Sequence, residues 1–261
     1  MNFSLIITTY NSPDSLLLVL KSVETQYILP NEIIIADDGS LPSTKLLIDN
    51  FLSGSSLIVL HSWQKDKGFR AAKSRNKAIA MSTSDYIILI DGDTILHPSF
   101  SQDHLNNVEP GCFIQGKRVL LTKNKTRKVL ETHDIDFSFY SQGLLNRLNS
   151  FHSNVFSRIF SKKNNYLRGI KTCNMSFFKK DCFDVNGFNN DMEGWGREDT
   201  EFVVRLMNNG INRKDVYFNL IQFHLWHENS PRDSLSHNEI RLKNTIINKL
   251  KWCANGINKF L

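Results

Sequence analysis

Residues 86–93 read Tyr-Ile-Ile-Leu-Ile-Asp-Gly-Asp (YIILIDGD), a short apolar run that ends in two carboxylates separated by one glycine. A run this short and apolar, rich in isoleucine and followed by a turn, predicts a strand buried on both faces. The same form recurs upstream. Phe3 to Thr9 (FSLIITT) is followed by Tyr10-Asn11-Ser12-Pro13, Glu32 to Ala36 (EIIIA) by Asp37-Asp38-Gly39-Ser40, and Leu57 to Leu60 (LIVL) is a further short run. Helix-length segments separate them. Ser12 suits a cap and Pro13 a first helical position, so a helix is expected to about Gln26 with Leu16, Leu20 and Val23 on one face. Further helices are predicted over Pro42–Leu52 and Ala71–Met81. Strands apolar on both faces alternating with helices predict an α/β fold, a mostly parallel sheet covered on both sides. Ligands of such sheets collect at the carboxyl ends of the strands. Thr8-Thr9-Tyr10, Asp37 to Ser40 and Asp91-Gly92-Asp93 are therefore predicted to share one crevice.

The chain has 261 residues, 41% of them apolar and 22% charged. That is about 1.7 times the ~150-residue domain prior, enough for a large core, and it excludes a disulfide-stapled miniprotein or a disordered chain. No apolar run approaches the ~18–20 residues needed to cross a bilayer. Thr8, Thr9 and Asn11 interrupt the first apolar run, so no secretory signal is predicted and a cytoplasmic location is expected. Cys112, Cys173, Cys182 and Cys253 show no paired spacing and are read as reduced thiols. Lys plus Arg exceed Asp plus Glu by 32 − 26 = 6, which favours an anionic partner such as a nucleotide, an acidic lipid surface or nucleic acid.

Beyond residue 100 the alternation weakens. Phe113 to Leu121 and Lys128 to Thr132 read as strands. From Leu144 to Phe160 the residues Leu144, Leu148, Phe151, Val155 and Ile159 form a helical stripe, with Arg147, Arg158, Lys162 and Lys163 among the polar positions. Thr200 to Asn209 reads as a helix stopped by Gly210, and Glu239 to Leu261 as a basic tail.

Two separated clusters carry the chemistry. Asp91-Gly92-Asp93 is an ordinary turn composition, yet two carboxylates at a strand end can also bind a divalent cation that neutralises a diphosphate. Gly194-Trp195-Gly196-Arg197-Glu198-Asp199 precedes a helix, where acids can simply meet the helix dipole. The functional alternative is a carboxylate general base beside an indole platform for a sugar ring, the flanking glycines leaving the indole room to meet it. His61, His97, His104, His133, His152 and His237 fall outside these clusters and read as surface or packing residues.

The segments IITTYNSPDSL, IIIADDGS, KGFRAAKSRNKAI, IILIDGDTILHPSF and NMSFFKKDCFDVNGFNNDMEGWGREDTEFVVRLMNNG occur in the order found in family 2 inverting glycosyltransferases of the GT-A fold, which this sequence resembles. Residues 170 to 210 are similar to the module shared by β-1,4-galactosyltransferases and bacterial chondroitin polymerase. The resemblance implies a Rossmann-like sheet with an acceptor-side extension: a nucleotide-sugar half over 1–121, an acceptor and catalytic half over 122–230, and a basic helical tail over 231–261. It implies that Thr8 and Tyr10 lie by the nucleotide, that Asp38 accepts from uracil N3, that Phe69 and Arg70 flank the base or ribose, and that Asp91 approaches the ribose or metal. Asp93 is the implied ligand of Mn2+ or Mg2+. Phe223-His224-Leu225-Trp226-His227 offers two histidines for the same ion, and His227 is the preferred one. Asp199 is the implied general base, Glu198 a binder of acceptor hydroxyls, and Trp195, Gly196 and Arg197 the acceptor wall. The family pattern reads GWGGED, so Arg197 stands where a glycine is usual and is expected to meet an anionic acceptor group. The implied reaction transfers a hexose-type sugar from a UDP-sugar to a saccharide or lipid-linked saccharide, with possible peripheral contact at the inner face of the plasma membrane. A sugar nucleotidyltransferase would call for a glycine-rich phosphate loop after the first strand, which is lacking. A carbohydrate-binding or nucleic-acid-binding module has no need of both acidic clusters, and no nucleic-acid partner is expected.

Overall fold

The computed structural model describes residues 1–228 and 232–261, so the expected boundary at 230/231 lies outside the described residues. Strand β1 (Phe3–Thr9) leads into helix α1 (Pro13–Glu24), β2 (Glu32–Asp37) into α2 (Pro42–Leu52), and β3 (Val59–Trp63) into α3 (Ala71–Met81), and β4 (Tyr86–Asp91) completes the alternation. Pro13 and Pro42 stand in the first turns of their helices, where a missing N–H leaves no hydrogen bond unmade. The later elements are β5 (Thr94–Leu96), α4 (Phe100–Asn107), β6 (Cys112–Gln115), β7 (Val119–Leu121), α5 (Lys123–Thr132), β8 (Leu144–Leu145), α6 (Asn154–Phe160), β9 (Lys162–Asn164), β10 (Asn174–Phe178), α7 (Lys179–Asp184), α8 (Glu198–Asn208), β11 (Asn212–Asp215), β12 (Gln222–His224) and α9 (Leu235–Ile247). None of the described helices is long and apolar enough to cross a membrane.

An eight-stranded sheet runs β3-β2-β1-β4-β10-β6-β11-β9, and a four-stranded sheet runs β5-β12-β7-β8. In the large sheet β3, β2, β1 and β4 are parallel neighbours, while β10 inserts antiparallel between β4 and β6. Alternate residues of each strand serve opposite layers, as the two-residue strand period demands. Ile6, Ile34, Ile87 and Leu89 pack with Ala72, Ala78 and Ile79 of α3 and Phe202 and Leu206 of α8. Leu5, Ile7, Ile33, Ile35, Ile88 and Ile90 pack with Leu16, Val19, Leu20 and Val23 of α1. The chain order reverses direction between β1 and β4, whose neighbouring carboxyl ends open the crevice that such a switch point provides.

The second half departs from the sequence reading in three places, each for a local reason. Phe113 to Leu121 is two strands, β6 and β7, in different sheets. The chain bends between them at Gly116, where a Cβ would lie 2.3 Å from the Asn174 side chain and the N–H donates to the Asn174 carbonyl at 2.9 Å. Lys128 to Thr132 is the end of helix α5, because the Thr122 hydroxyl caps that helix by accepting from Lys125 N–H and only Thr126 and Val129 turn inward. The stripe from Leu144 to Phe160 is not one helix. Asn146 in a left-handed conformation (φ 54°) ends β8 and starts a single 3-10 turn, and Ser153 then caps the short α6 by accepting from Phe156 N–H. Capping and turn chemistry overrode the apolar periodicity. Two boundaries shift as well: β3 is Val59–Trp63, in register with β2, where Leu57 to Leu60 is expected, and α8 is Glu198–Asn208, so that it already includes Glu198 and Asp199.

Candidate active site

The carboxyl end of β1 sets one wall. Gly92 N–H donates to the Thr8 carbonyl at 2.7 Å, and a Cβ at Gly92 would stand 3.1 Å from that oxygen, so glycine lets the Asp91-Gly92-Asp93 turn lie directly against β1. The neighbouring acids Asp37 and Asp38 have separate work. Asp37 accepts from Gly39 and Ser40 N–H and from His61 Nε2, which fixes the turn after β2. Asp38 lies on the cavity wall and accepts from Gln64 Nε2 at 2.6 Å and Arg70 N–H at 2.5 Å. Burial raises its proton affinity, with both donors opposing.

The cavity has a volume of about 940 Å3, and its lining includes Thr8, Tyr10, Asp38, Phe69, Asp91, Asp93, Trp195, Gly196, Arg197, Glu198, Asp199, His224 and His227. A space of this size suits a nucleotide-sized ligand. Arg70 is the exception among the expected residues. It does not line the cavity, and its guanidinium donates to the Lys65 carbonyl while its N–H supports Asp38. Tyr10 and Phe69 are half-exposed aromatics on the wall, and the Tyr10 hydroxyl donates to Asp66 at 3.0 Å.

Arg75, on the inward face of α3, joins the two acidic clusters. Its guanidinium lies 3.6 Å from Asp91, 3.4 Å from Glu198 and 3.2 Å from Asp199, and its Nε donates to Thr8 Oγ1 at 3.2 Å. Asp199 also accepts from Thr172 N–H and Thr172 Oγ1, each at 3.0 Å. Burial pushes Glu198 well above the usual carboxylate range, the Asp199 charge adds to this, and Arg75 opposes it. Burial likewise raises Asp91, again against Arg75. Arg75 escaped the sequence reading because one arginine in a basic helix looks like part of a solvated face. Its spacing four residues after the buried Ala71 was the available signal. Arg118, Lys171 and Thr172, also on the wall, carry no local pattern at all.

A second constellation depends on the small sheet. β12 pairs antiparallel with β5 so that His224 faces Thr94, and Leu225 N–H donates to the Asp93 carbonyl at 2.9 Å. This register brings Asp93, His224 and His227 together, with one ligand atom of each within 4.8 Å of the others. Asp93 Oδ2 lies 3.6 Å from His224 Nε2 and 3.3 Å from His227 Nε2. Asp93 Oδ1 is buried without a hydrogen-bond partner, and burial lowers the proton affinity of His224, leaving a neutral imidazole. A carboxylate with an unsatisfied oxygen beside two imidazoles fits a divalent cation such as Mn2+. Both histidines, not His227 alone, stand at Asp93.

The glycines around Trp195 serve the backbone. Gly194 (φ 75°) and Gly196 (φ 104°) are left-handed, and a Cβ at Gly194 would fall 2.2 Å from Ser234 Oγ just before α9. Close packing on α9, more than room for the indole, explains the residue type. Arg197 is left-handed as well (φ 76°), at the place where the family pattern has glycine, and its Nε donates to Glu239 of α9 at 2.6 Å. The Arg232 guanidinium lies 5.1 Å from the centre of the Trp195 ring. All four cysteines are buried free thiols, and burial pushes Cys173 beside the cavity up to about 12, which disfavours its thiolate form.

The class that fold and site define is an α/β domain with a nucleotide-sized, carboxylate-rich crevice at its topological switch point. The chain belongs to glycosyl transferase family 2, whose pattern matches residues 4–185. A second pattern, described as the N-terminal domain of galactosyltransferase, matches residues 152–227. The chain is 26% identical over 235 residues to a hyaluronan synthase of Pasteurella multocida, covering 83% of this chain and 24% of that protein. It is 25% identical to a chondroitin synthase of Escherichia coli, covering 82% of this chain and 33% of that protein. It thus spans a quarter to a third of the length of these relatives. The structure of S. aureus TarS 1-349 in complex with UDP superposes with a TM-score of 0.65 at 16% identity, covering 95% of this chain and 66% of that one, a likeness of fold.

Proposed function

We propose that the chain is an inverting glycosyltransferase that moves a hexose-type sugar from a UDP-sugar to a saccharide or lipid-linked saccharide acceptor, in the building of a bacterial surface polysaccharide or lipopolysaccharide. The observation that carries this reading is the Arg75 bridge. One buried guanidinium reaches Asp91 on the metal-type side and Glu198 and Asp199 on the other, so both acidic clusters face one cavity.

Thr8, Tyr10, Phe69 and Asp91 hold the nucleotide, with Asp38 accepting from uracil N3–H and Arg70 supporting Asp38 through its backbone N–H. Asp93 and His227, with His224 beside them, would hold Mn2+ or Mg2+, which when bound neutralises charge on the departing diphosphate. Trp195 offers its flat face to an acceptor ring, flanked by Gly196 and Arg197, and Glu198 binds acceptor hydroxyls. Asp199 takes the proton of the attacking hydroxyl. As the oxygen bonds to the anomeric carbon, the bond from that carbon to the diphosphate oxygen breaks and its electron pair leaves with UDP. Attack from the opposite face turns an α-linked donor into a β-linked product. The two hydrogen bonds from Thr172 and the Arg75 contact hold the Asp199 carboxylate in one orientation, so little is lost in aligning it.

A thermal-shift panel of UDP, GDP, CMP and dTDP, each with and without Mn2+, tests the reading. UDP with Mn2+ at ~100 times its dissociation constant should add ~2.7 kcal/mol, or roughly 5–10 °C. Stabilisation by another nucleotide would remove Asp38 as a uracil reader. No shift with any nucleotide would overturn the enzyme reading in favour of a carbohydrate-binding module, and pyrophosphate release in place of UDP would make it a nucleotidyltransferase.

A further inference from the structure

Helix α6 is packed inside out. Of its seven residues, NVFSRIF, the buried one is Ser157, whereas Val155 and Ile159 are each 65% exposed and Phe160 is 53% exposed. A surface helix ordinarily turns its apolar side to the core. Upstream, Phe151 is 38% exposed with its ring centre 6.0 Å from that of Phe156, and Leu148 in the preceding 3-10 turn is 73% exposed. Phe218 backs the helix, with ring centres 5.7 Å from Phe156 and 5.5 Å from Phe160. This is a supported surface with its apolar groups outward.

The charge carried by this segment of the chain has one sign. No Asp or Glu occurs between Phe137 and Lys180. Lys163 is neutralised by Glu109, but Arg147, Arg158, Lys162 and Arg168 form no ion pair with a carboxylate among the described residues. A second copy of the chain is a poor occupant, because an isologous contact would set this basic rim against itself. An anionic surface with an apolar interior complements both features.

We propose that this face docks on an anionic lipid bilayer, with α6 lying in the interface, Val155, Ile159 and Phe160 at the acyl boundary, and Arg158 and Lys162 on headgroup phosphates. The segment leaves the cavity wall at Leu145 and returns to it at Ile170. Docking would therefore hold the cavity near a surface that presents lipid-linked acceptors, a consequence that rests on the proposed transferase activity, although docking itself does not.

The test is co-sedimentation of the full chain with phosphatidylcholine vesicles, with and without phosphatidylglycerol. Binding should require phosphatidylglycerol and fall ~10-fold or more as salt is raised. The double variant Val155→Ser/Ile159→Ser should bind ~10-fold or more weakly, and Arg158→Gln/Lys162→Gln should lose the preference for phosphatidylglycerol. Failure of the wild type to sediment at low salt, or undiminished binding by both variants, overturns the proposal. Self-association in sedimentation velocity that Val155→Ser/Ile159→Ser abolishes, without vesicle binding, would assign the face to a second copy instead. UDP release in solution should be unchanged in both variants, whose substituted residues do not line the cavity. Vesicle binding without UDP release would leave docking intact and sink the transferase reading.

Discussion

The parallel half of the molecule and the segment from Phe137 to Arg168 break the usual partition of residues in opposite directions. In the first, strands apolar on both faces bury polar groups at their ends, including Arg75 and the carboxyl groups of Asp37 and Asp38. In the second, the chain hides Ser157 and shows Val155 and Ile159 to solvent. Burying charge costs free energy and exposing large apolar surface forgoes it, so neither arrangement follows from folding stability alone. The proposed functions account for each: the buried charges suit a site for a polar ligand, and the exposed apolar groups suit a docking surface.

The largest effect that could break this contrast is at Arg75. Arg75→Met leaves Asp91, Glu198 and Asp199 without their shared cation and should cost about 3–5 kcal/mol in urea unfolding, with Arg75→Lys retaining part of that. A loss below ~0.5 kcal/mol would mean the buried charges are not held by Arg75. Next comes Asp199→Asn, which should keep UDP binding but lose transfer by ~100-fold or more, read as initial rates of UDP release. Near-normal turnover would remove Asp199 from the role of base.

The pH dependence is smaller. Glu198 has its folded proton affinity raised, so the native state holds its proton above the pH at which the unfolded chain releases it. Its contribution is fully present below the ordinary carboxylate pKa and is lost as pH rises through the raised folded value, at up to ~1.4 kcal/mol per pH unit. Glu198→Gln should flatten the fall in unfolding free energy above pH 5, and an identical slope in the variant would refute the assignment. Arg197→Gly relieves a left-handed backbone worth ~1 kcal/mol while losing an exposed ion pair with Glu239 worth ~0.5 kcal/mol. The expected net is a slight stabilisation, and a clear drop in melting temperature would show that the Glu239 contact dominates. Smallest of all, Ile159→Ser should change folding stability by no more than ~0.5 kcal/mol, since its side chain is mostly in water. A core-sized loss would place Ile159 inside a packed interface within the chain.

How legible each part was follows the same division. The runs FSLIITT, EIIIA and YIILI each encode their own strand, and the turns behind them name Thr8, Asp38, Asp91 and Asp93 as neighbours. Glu198 and Asp199 were readable as a motif at a helix entrance. Arg75 was not, because nothing local separates a buried arginine from a solvated one. In sequence His224 is the lesser of two candidates, because the resemblance favours His227 and the i, i+3 spacing says nothing of the register that sets His224 opposite Thr94. In the second half Asn146 and Ser153, single residues with strong backbone preferences, cut a stripe that periodicity alone read as continuous.

The sequence by itself determined the α/β alternation, the four parallel strands of the first ninety residues, and the acidic clusters at the strand and helix ends, because each depends on side chains within a few positions of one another. Tertiary structure alone decided three further things: which cation joins the clusters, that both histidines reach Asp93, and that α6 turns its apolar side to solvent. Those outcomes depend on contacts between residues far apart in the chain, such as Arg75 with Asp199 and His224 with Asp93, and no local pattern encodes the distance between them.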